Sequence, residues 1–352
     1  MQKSYFGVTI TIGILLFAII LYPLSPNISY SQQQQQLFPF LPPTNTIKDQ
    51  INNDIQNESI THASGGNSSS SSNTPKVVIL DFYDNDIGQF TNAKPILNKY
   101  GFKGTFFIVC KWATSDNPVR MNWQEINQLY REGHDIESHT MTHKPLDALS
   151  TSALDYQVGQ SKQCIHDHLG IYPTVLSPPH SRGSNNATVI DTIAKYYDLS
   201  IGGFVNDVMF LHCYGWQQHQ HKQQQQYLNQ RDCRPYSDNG MLNYASRYDI
   251  KENAGAEGHS NDTLIFNRFA NLVNREGILN SNNNNIAMPI NSVLILGYHN
   301  IDNNQTASKD TTDIALFDKE MKYLHNNSVK VITMSDLGYD ENSKYLYVRN
   351  NT

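Results

Sequence analysis

In Val77-Val78-Ile79-Leu80-Asp81-Phe82-Tyr83-Asp84-Asn85 a largely apolar strand runs into a carboxylate, Asp84, followed by Asn85, a residue that tolerates tight turns. About fifty residues further on, Glu137-Ser138-His139-Thr140-Met141-Thr142-His143 follows a second strand-like stretch. One carboxylate and two imidazoles can therefore meet at the ends of neighbouring strands. Three protein ligands of the Asp-His-His type leave a coordination position open, which separates a hydrolytic metal site from a structural one.

Outward from these two stretches, strand and helix signals alternate. Helical spacing over Asn92–Tyr100 stops at Gly101, and Thr105–Val109 reads as a strand. Asn122–Arg131 reads as a helix closed by Gly133. Ser152-Ala153-Leu154-Asp155 has the form of a capping box, and Leu154, Val158, Ile165 and Leu169 follow at helical intervals up to Gly170. Short strands over Thr174–Leu176, Leu199–Ile201, Val293–Tyr298 and Lys330–Thr333 alternate with helices over Ala187–Tyr197 and Thr312–His325. This alternation predicts an α/β fold built on a parallel sheet or barrel, with its chemistry at the C-terminal strand ends. Asp84, His139, Pro179 and His299 all follow expected strands.

The flanks are of a different kind. Residues 1–26 carry an uncharged run from Tyr5 to Leu24, expected to be a signal peptide or an N-terminal membrane anchor. Residues 27–75 are rich in Gln, Asn and Ser and are expected to be a disordered linker, having too little apolar surface to offset ordering entropy. Residues 76–340 are then one domain, with 341–352 a polar tail. Such a layout predicts an extracellular or cell-surface protein, with a possible membrane tether. The net charge of −6 and the lack of a basic cluster exclude nucleic acid as a partner. The four cysteines form no C-x-x-C pair, which disfavours a zinc knuckle. They are disulfides or buried thiols, and Cys213 with Cys233 brackets a Gln/His-rich insertion as a loop staple would. Trp112 and Trp123 are candidates to line a sugar groove, with core packing the reading for Trp123 on its amphipathic helix.

Several of these stretches resemble a known family. Asp81-Phe82-Tyr83-Asp84-Asn85 is similar to the T-F-D-D-G motif of polysaccharide deacetylases with the NodB-homology domain, and Ser138-His139-Thr140-Met141-Thr142-His143 to their S/T-H-x-x-x-H motif. Leu176-Ser177-Pro178-Pro179 resembles a degraded third motif, and Gly297-Tyr298-His299 the late motif that supplies a histidine. The resemblance implies a distorted (β/α) barrel of the NodB-homology type that hydrolyses N-acetyl groups of a cell-surface or extracellular polysaccharide. It implies a divalent metal, often zinc, held by Asp84, His139 and His143. His299 is then the acid that protonates the departing amine.

The departures from the pattern are specific. Tyr83 stands where the family keeps its general-base aspartate. A phenol with a reference pKa of about 10 is protonated at neutral pH and accepts a proton poorly. Asp81 points to the same side as Tyr83 but lies roughly 6.6 Å further back. Asp86, in the loop beyond, is the more reachable replacement. The arginine that many relatives use to hold the base is absent, with Leu176 and Ser177 in its neighbourhood and Arg182 further along. Two readings follow: a deacetylase working with a replacement at the base position (Tyr83 or Asp86), or a catalytically weakened relative that binds glycan without hydrolysing it.

Overall fold

The structure, a computed structural model, describes residues 76–204, 209–211, 247–254, 263–275, 292–303, 310–342 and 345–349. The expected N-terminal segment, the linker and the Cys213/Cys233 pair lie outside them.

Seven parallel strands close a barrel: β1 (Val77–Tyr83), β2 (Thr105–Ile108), β3 (Asp135–Ser138), β4 (Val175–Leu176), β5 (Leu199–Phe204), β7 (Ile250–Ala254) and β8 (Ser292–Tyr298), with β8 returning to β1. A short β6 (Met209–Phe210) runs antiparallel to β8. The helices are α1 (Lys94–Tyr100), α2 (Cys110–Ala113), α3 (Trp123–Arg131), α4 (Thr151–Leu169), α5 (Ala187–Ile193), α6 (Thr263–Arg275) and α7 (Ile314–Asn326). Beyond β8 come β9 (Asn300–Ile301), β10 (Thr311–Thr312), β11 (Lys330–Ile332), β12 (Leu337–Asp340) and β13 (Tyr345–Val348).

The distortion has a definite place. Along one edge β1 pairs with β8; along the other its first half pairs with β11 (Val77↔Lys330 to Ile79↔Ile332) and its second half with β2 (Asp81↔Thr105 to Tyr83↔Phe107). β11 thus wedges between β1 and β2 at the N-terminal end. Below it, the Met334 amide donates to Thr105 Oγ1 (2.9 Å) and the Ser335 amide to Asp135 Oδ2 (3.0 Å). β12 and β13 form an antiparallel hairpin there, with Leu337 and Leu346 buried. Residues 345–348, expected within a polar tail, are therefore part of the fold, because Leu346 buries against the inner core.

Side-chain alternation along β1 sorts two cores. Val78, Leu80 and Phe82 pack outward with helix residues such as Leu97 and Phe317, and Phe82 stacks on Phe106 at 4.7 Å. Val77, Ile79 and Tyr83 face the inner core with Phe107, Ile201, Ile250 and Ile295. Asp81, between them, is fully buried.

Local chemistry sets the helix ends. α1 stops at Gly101, whose φ of 74° is a conformation glycine adopts freely. Asn122 caps α3 by accepting from the Gln124 and Glu125 amides while Glu125 accepts from the Asn122 amide. The cap of α4 is Ser150 rather than the expected Ser152: the helix begins at Thr151 and Ser150 accepts from the Ala153 amide. Cys110, opening α2, is joined by a disulfide to Cys164 on α4, 54 residues away, with a Cα–Cα distance of 6.5 Å. Among the described residues no helix is long and apolar enough to cross a membrane.

Candidate metal centre

The C-terminal ends of β1 and β3 carry the cluster. After β1 the backbone turns sharply, with Asp84 and Asn85 at φ 73° and 55°, both residue types for which left-handed backbone is tolerable. Asn85 makes the turn hold: its side chain accepts from the Val109 amide (2.8 Å) and donates to the Val109 carbonyl (3.1 Å), standing in for a backbone pair beside β2. Asp84 is thereby aimed at the loop after β3, where Thr140 and His143 are also left-handed (φ 73° and 59°). Non-glycine backbone in this region concentrates where surrounding structure over-determines it, often at functional sites.

Asp84 Oδ1 lies 3.1 Å from His143 Nε2 and 3.5 Å from His139 Nε2. His139 Nδ1 is 2.7 Å from the Ser177 carbonyl, which can only accept, so the ring proton sits on Nδ1 and the Nε2 lone pair faces Asp84. One ligand atom from each of Asp84, His139 and His143 lies within 4.8 Å of the others. Burial pushes the Asp84 pKa up, but the imidazoles beside it outweigh burial and hold the carboxyl well below the usual range. His139 goes the other way, burial lowering it to about 3, so it stays neutral as a ligand must. A buried carboxylate oxygen with no aligned hydrogen-bond donor among the described residues, facing two imidazole nitrogens, is a donor set that fits a divalent ion of the zinc class.

The three expected catalytic positions fall differently. Tyr83 sits between two imidazoles, its ring centroid 5.3 Å from that of His139 and 5.6 Å from that of His299. Its hydroxyl turns inward and donates to Glu252 Oε2 on β7 at 2.6 Å. Burial, then the charge of Glu252, raises the Tyr83 pKa well above that of an ordinary phenol. Burial also lifts Glu252 to about 8. Gly297 makes room for this pair: a Cβ there would lie 2.9 Å from Glu252 Oε2 and 3.1 Å from Tyr83 Cε2. His299 is half-buried at the end of β8, its carbonyl accepting from Gln89 Nε2 (3.0 Å). Asp86 is tied to Arg120, 2.7 Å from its Nη1, and the same nitrogen donates to the Asp84 carbonyl. Burial raises Asp86 to about 7 against the lowering effect of Arg120. Arg182 pairs with Asp147 and stays out of the cluster.

Three neighbours were not singled out from sequence. Glu252 lies on a strand too polar to read as one. His180 (φ 57°), exposed after Pro178-Pro179, sets its ring 4.7 Å from that of His143 and perpendicular to it. Arg120 places its guanidinium 4.3 Å over Trp112, whose ring lies 4.8 Å from His143, so Trp112 borders the centre as a groove residue would. Trp123 instead stacks on His168 at 4.0 Å.

Residues 70–199, which include Asp84, His139 and His143, match the polysaccharide deacetylase family model. The chain is similar to the uncharacterized protein YlxY of Bacillus subtilis, 32% identical over 101 residues that make up 29% of each chain. It is also similar to the peptidoglycan-N-acetylglucosamine deacetylase PgdA of Listeria monocytogenes, 27% identical over 121 residues, 34% of this chain and 24% of that one. The chain thus spans less than a third of the length of either relative. Among solved structures, the Xyl-CE4 domain of a multidomain xylanase from a termite hindgut metagenome (Trinervitermes trinervoides) aligns with 74% of this chain and 88% of its own, at 14% identity and a TM-score of 0.45. Over residues 70–199, the chain is similar to the polysaccharide deacetylase family.

Proposed function

We propose that the protein is a metal-dependent deacetylase acting on the N-acetyl groups of a polysaccharide at the cell surface or outside the cell, altered at its base position. The carrying observation is the convergence of Asp84, His139 and His143 on one point at the barrel's C-terminal end. A divalent ion there, zinc by the nature of the donors, supplies Lewis acidity toward an acetyl carbonyl. The remaining chemistry falls to the chain's own groups. Ser177 fixes the His139 tautomer, Asn85 and Arg120 hold the Asp84 backbone, and Trp112 with His180 walls the approach. His299, whose ring centroid lies 5.6 Å from that of Tyr83, is read as the acid for a departing amine.

Tyr83 is not read as the replacement for the missing base, because its hydroxyl donates to Glu252. Asp86 is the remaining acidic group in the loop, and its pairing with Arg120 directs it at that cation. This observation also favours the second reading, a catalytically weakened relative that binds glycan without hydrolysing it. The N-terminal run of residues 5–24 supports export, with or without a tether.

The test is amine release from N-acetylglucosamine oligomers by the zinc-loaded full chain, beside Asp84→Ala and His139→Ala. Slow turnover is expected for the wild type and none for either variant, with one equivalent of zinc lost in each. Turnover that survives Asp84→Ala would overturn the assignment.

A further inference from the structure

Thr140, Met141 and Thr142 separate the two imidazoles of the centre, and these three residues are held from two sides. On one side, the Cys110 and Lys111 amides at the start of α2 donate to the Thr140 and Met141 carbonyls at 3.2 and 3.0 Å. On the other stands Gln157 of α4. Its carbonyl accepts from the Met141 amide (3.1 Å), its side-chain Oε1 accepts from the Thr142 amide (2.9 Å), and its Nε2 donates to Thr142 Oγ1 (2.6 Å). Gln157 is buried, and both ends of its amide are spent on the residue next to His143. Thr140 and His143, at either end of the held stretch, are in left-handed backbone that persists only under restraint.

The two holding elements are also covalently joined. Cys110, whose amide makes one of these contacts, is bridged to Cys164, about two turns of α4 beyond Gln157. The geometry points to Gln157 and the Cys110–Cys164 bridge acting as one clamp on the ligand loop, so that the affinity of the centre for its divalent ion follows the redox state of this disulfide. This rests on the metal-binding reading of Asp84, His139 and His143 given above. Cys110 is buried and Cys164 half-buried, so a dithiol reductant meets Cys164 first. The S–S bond breaks, two protein thiols form, and the reductant's two thiols close to a disulfide, two electrons and two protons passing to the protein. Without the bridge, α2 and α4 separate more easily and the residues between the imidazoles lose one wall. Groups that orient metal ligands from behind typically account for about 10- to 100-fold in metal affinity.

The experiment titrates Zn²⁺ alone into the full chain by calorimetry, comparing wild type with Gln157→Leu, the Cys110→Ser/Cys164→Ser pair and all three changes together, each checked in metal-free form by circular dichroism and denaturant unfolding. Gln157→Leu and the cysteine pair should each weaken zinc by about tenfold or more. The triple variant should fall short of the product of the two effects, since both act on one loop. Co²⁺ should report a changed visible absorption in Gln157→Leu, which a loss of stability alone does not produce. If the cysteine pair fails to fold, dithiol reduction of the folded wild type, followed by removal of the reductant, takes its place beside Gln157→Leu. Wild type that binds no zinc sinks the metal reading and the clamp with it. Wild type that binds while the variants bind equally well sinks the clamp alone.

Discussion

At position 83 one hydroxyl decides the chemistry. Tyr83 donates to a carboxyl group that burial keeps largely protonated at neutral pH, and neither partner faces the centre as a proton acceptor. Tyr83→Asp should raise amine release by at least about tenfold, since a positioned general base typically contributes 10²- to 10⁴-fold. The new carboxylate would sit beside Glu252 with no hydroxyl between them, so Tyr83→Asp/Glu252→Gln should outrun Tyr83→Asp alone. Equal rates for the two would show that Glu252 does not reach position 83 in the variant. Gly297→Ala tests the same packing from β8, the strand between β1 and β7. Its added methyl would press on Glu252 Oε2 and the Tyr83 ring, costing about 1–3 kcal/mol in denaturant unfolding. An unchanged midpoint would mean that the pair has room to move.

Among the elements, those that the sequence announces are the ones whose ends are chemically marked. α3 begins where Asn122 and Glu125 satisfy each other's neighbouring amides, and α1 and α4 end on left-handed glycines. Asn122→Ala should cost about 1 kcal/mol, measured by denaturant unfolding, because the Gln124 and Glu125 amides lose their acceptor. β7 carries no such mark. Ile250-Lys251-Glu252-Asn253-Ala254 reads as polar, because one of its inward side chains, Glu252, pairs with Tyr83 instead of packing as a hydrocarbon. Strand periodicity assumes an apolar inner face, and the barrel departs from that assumption just below the candidate metal centre.

For the whole molecule, pH enters through buried groups on opposite sides of neutrality. Glu252 is raised by burial from 4.5 to about 8, so its contribution to stability is complete below about 4.5 and is lost as pH rises through 8. His134, buried against Phe106, is lowered from 6.5 to about 4, so its contribution is present above about 6.5 and is lost as pH falls through 4. Urea unfolding of the metal-free chain at fixed pH values should show Glu252→Gln declining less than wild type between pH 5 and 8. Parallel curves would place the proton elsewhere. Read from the residues alone, the barrel and the convergence of Asp84, His139 and His143 were both legible. Alternating strands and helices, a carboxylate closing β1 and a His-x₃-His pair after β3 are local patterns, and each strand end projects its side chain in a direction the backbone repeat dictates. The partners that qualify the chemistry were not legible, because they are defined by distance in space across long stretches of chain. Glu252 meets Tyr83 across 169 residues and Cys110 meets Cys164 across 54, while Gln157 grips Thr142 from 15 residues further along, where α4 packs back on the loop after β3. Sequence by itself determined which residues reach the centre; tertiary closure alone decided which way the Tyr83 hydroxyl turns, since burial makes it take the acceptor that β7, two strands away, presents.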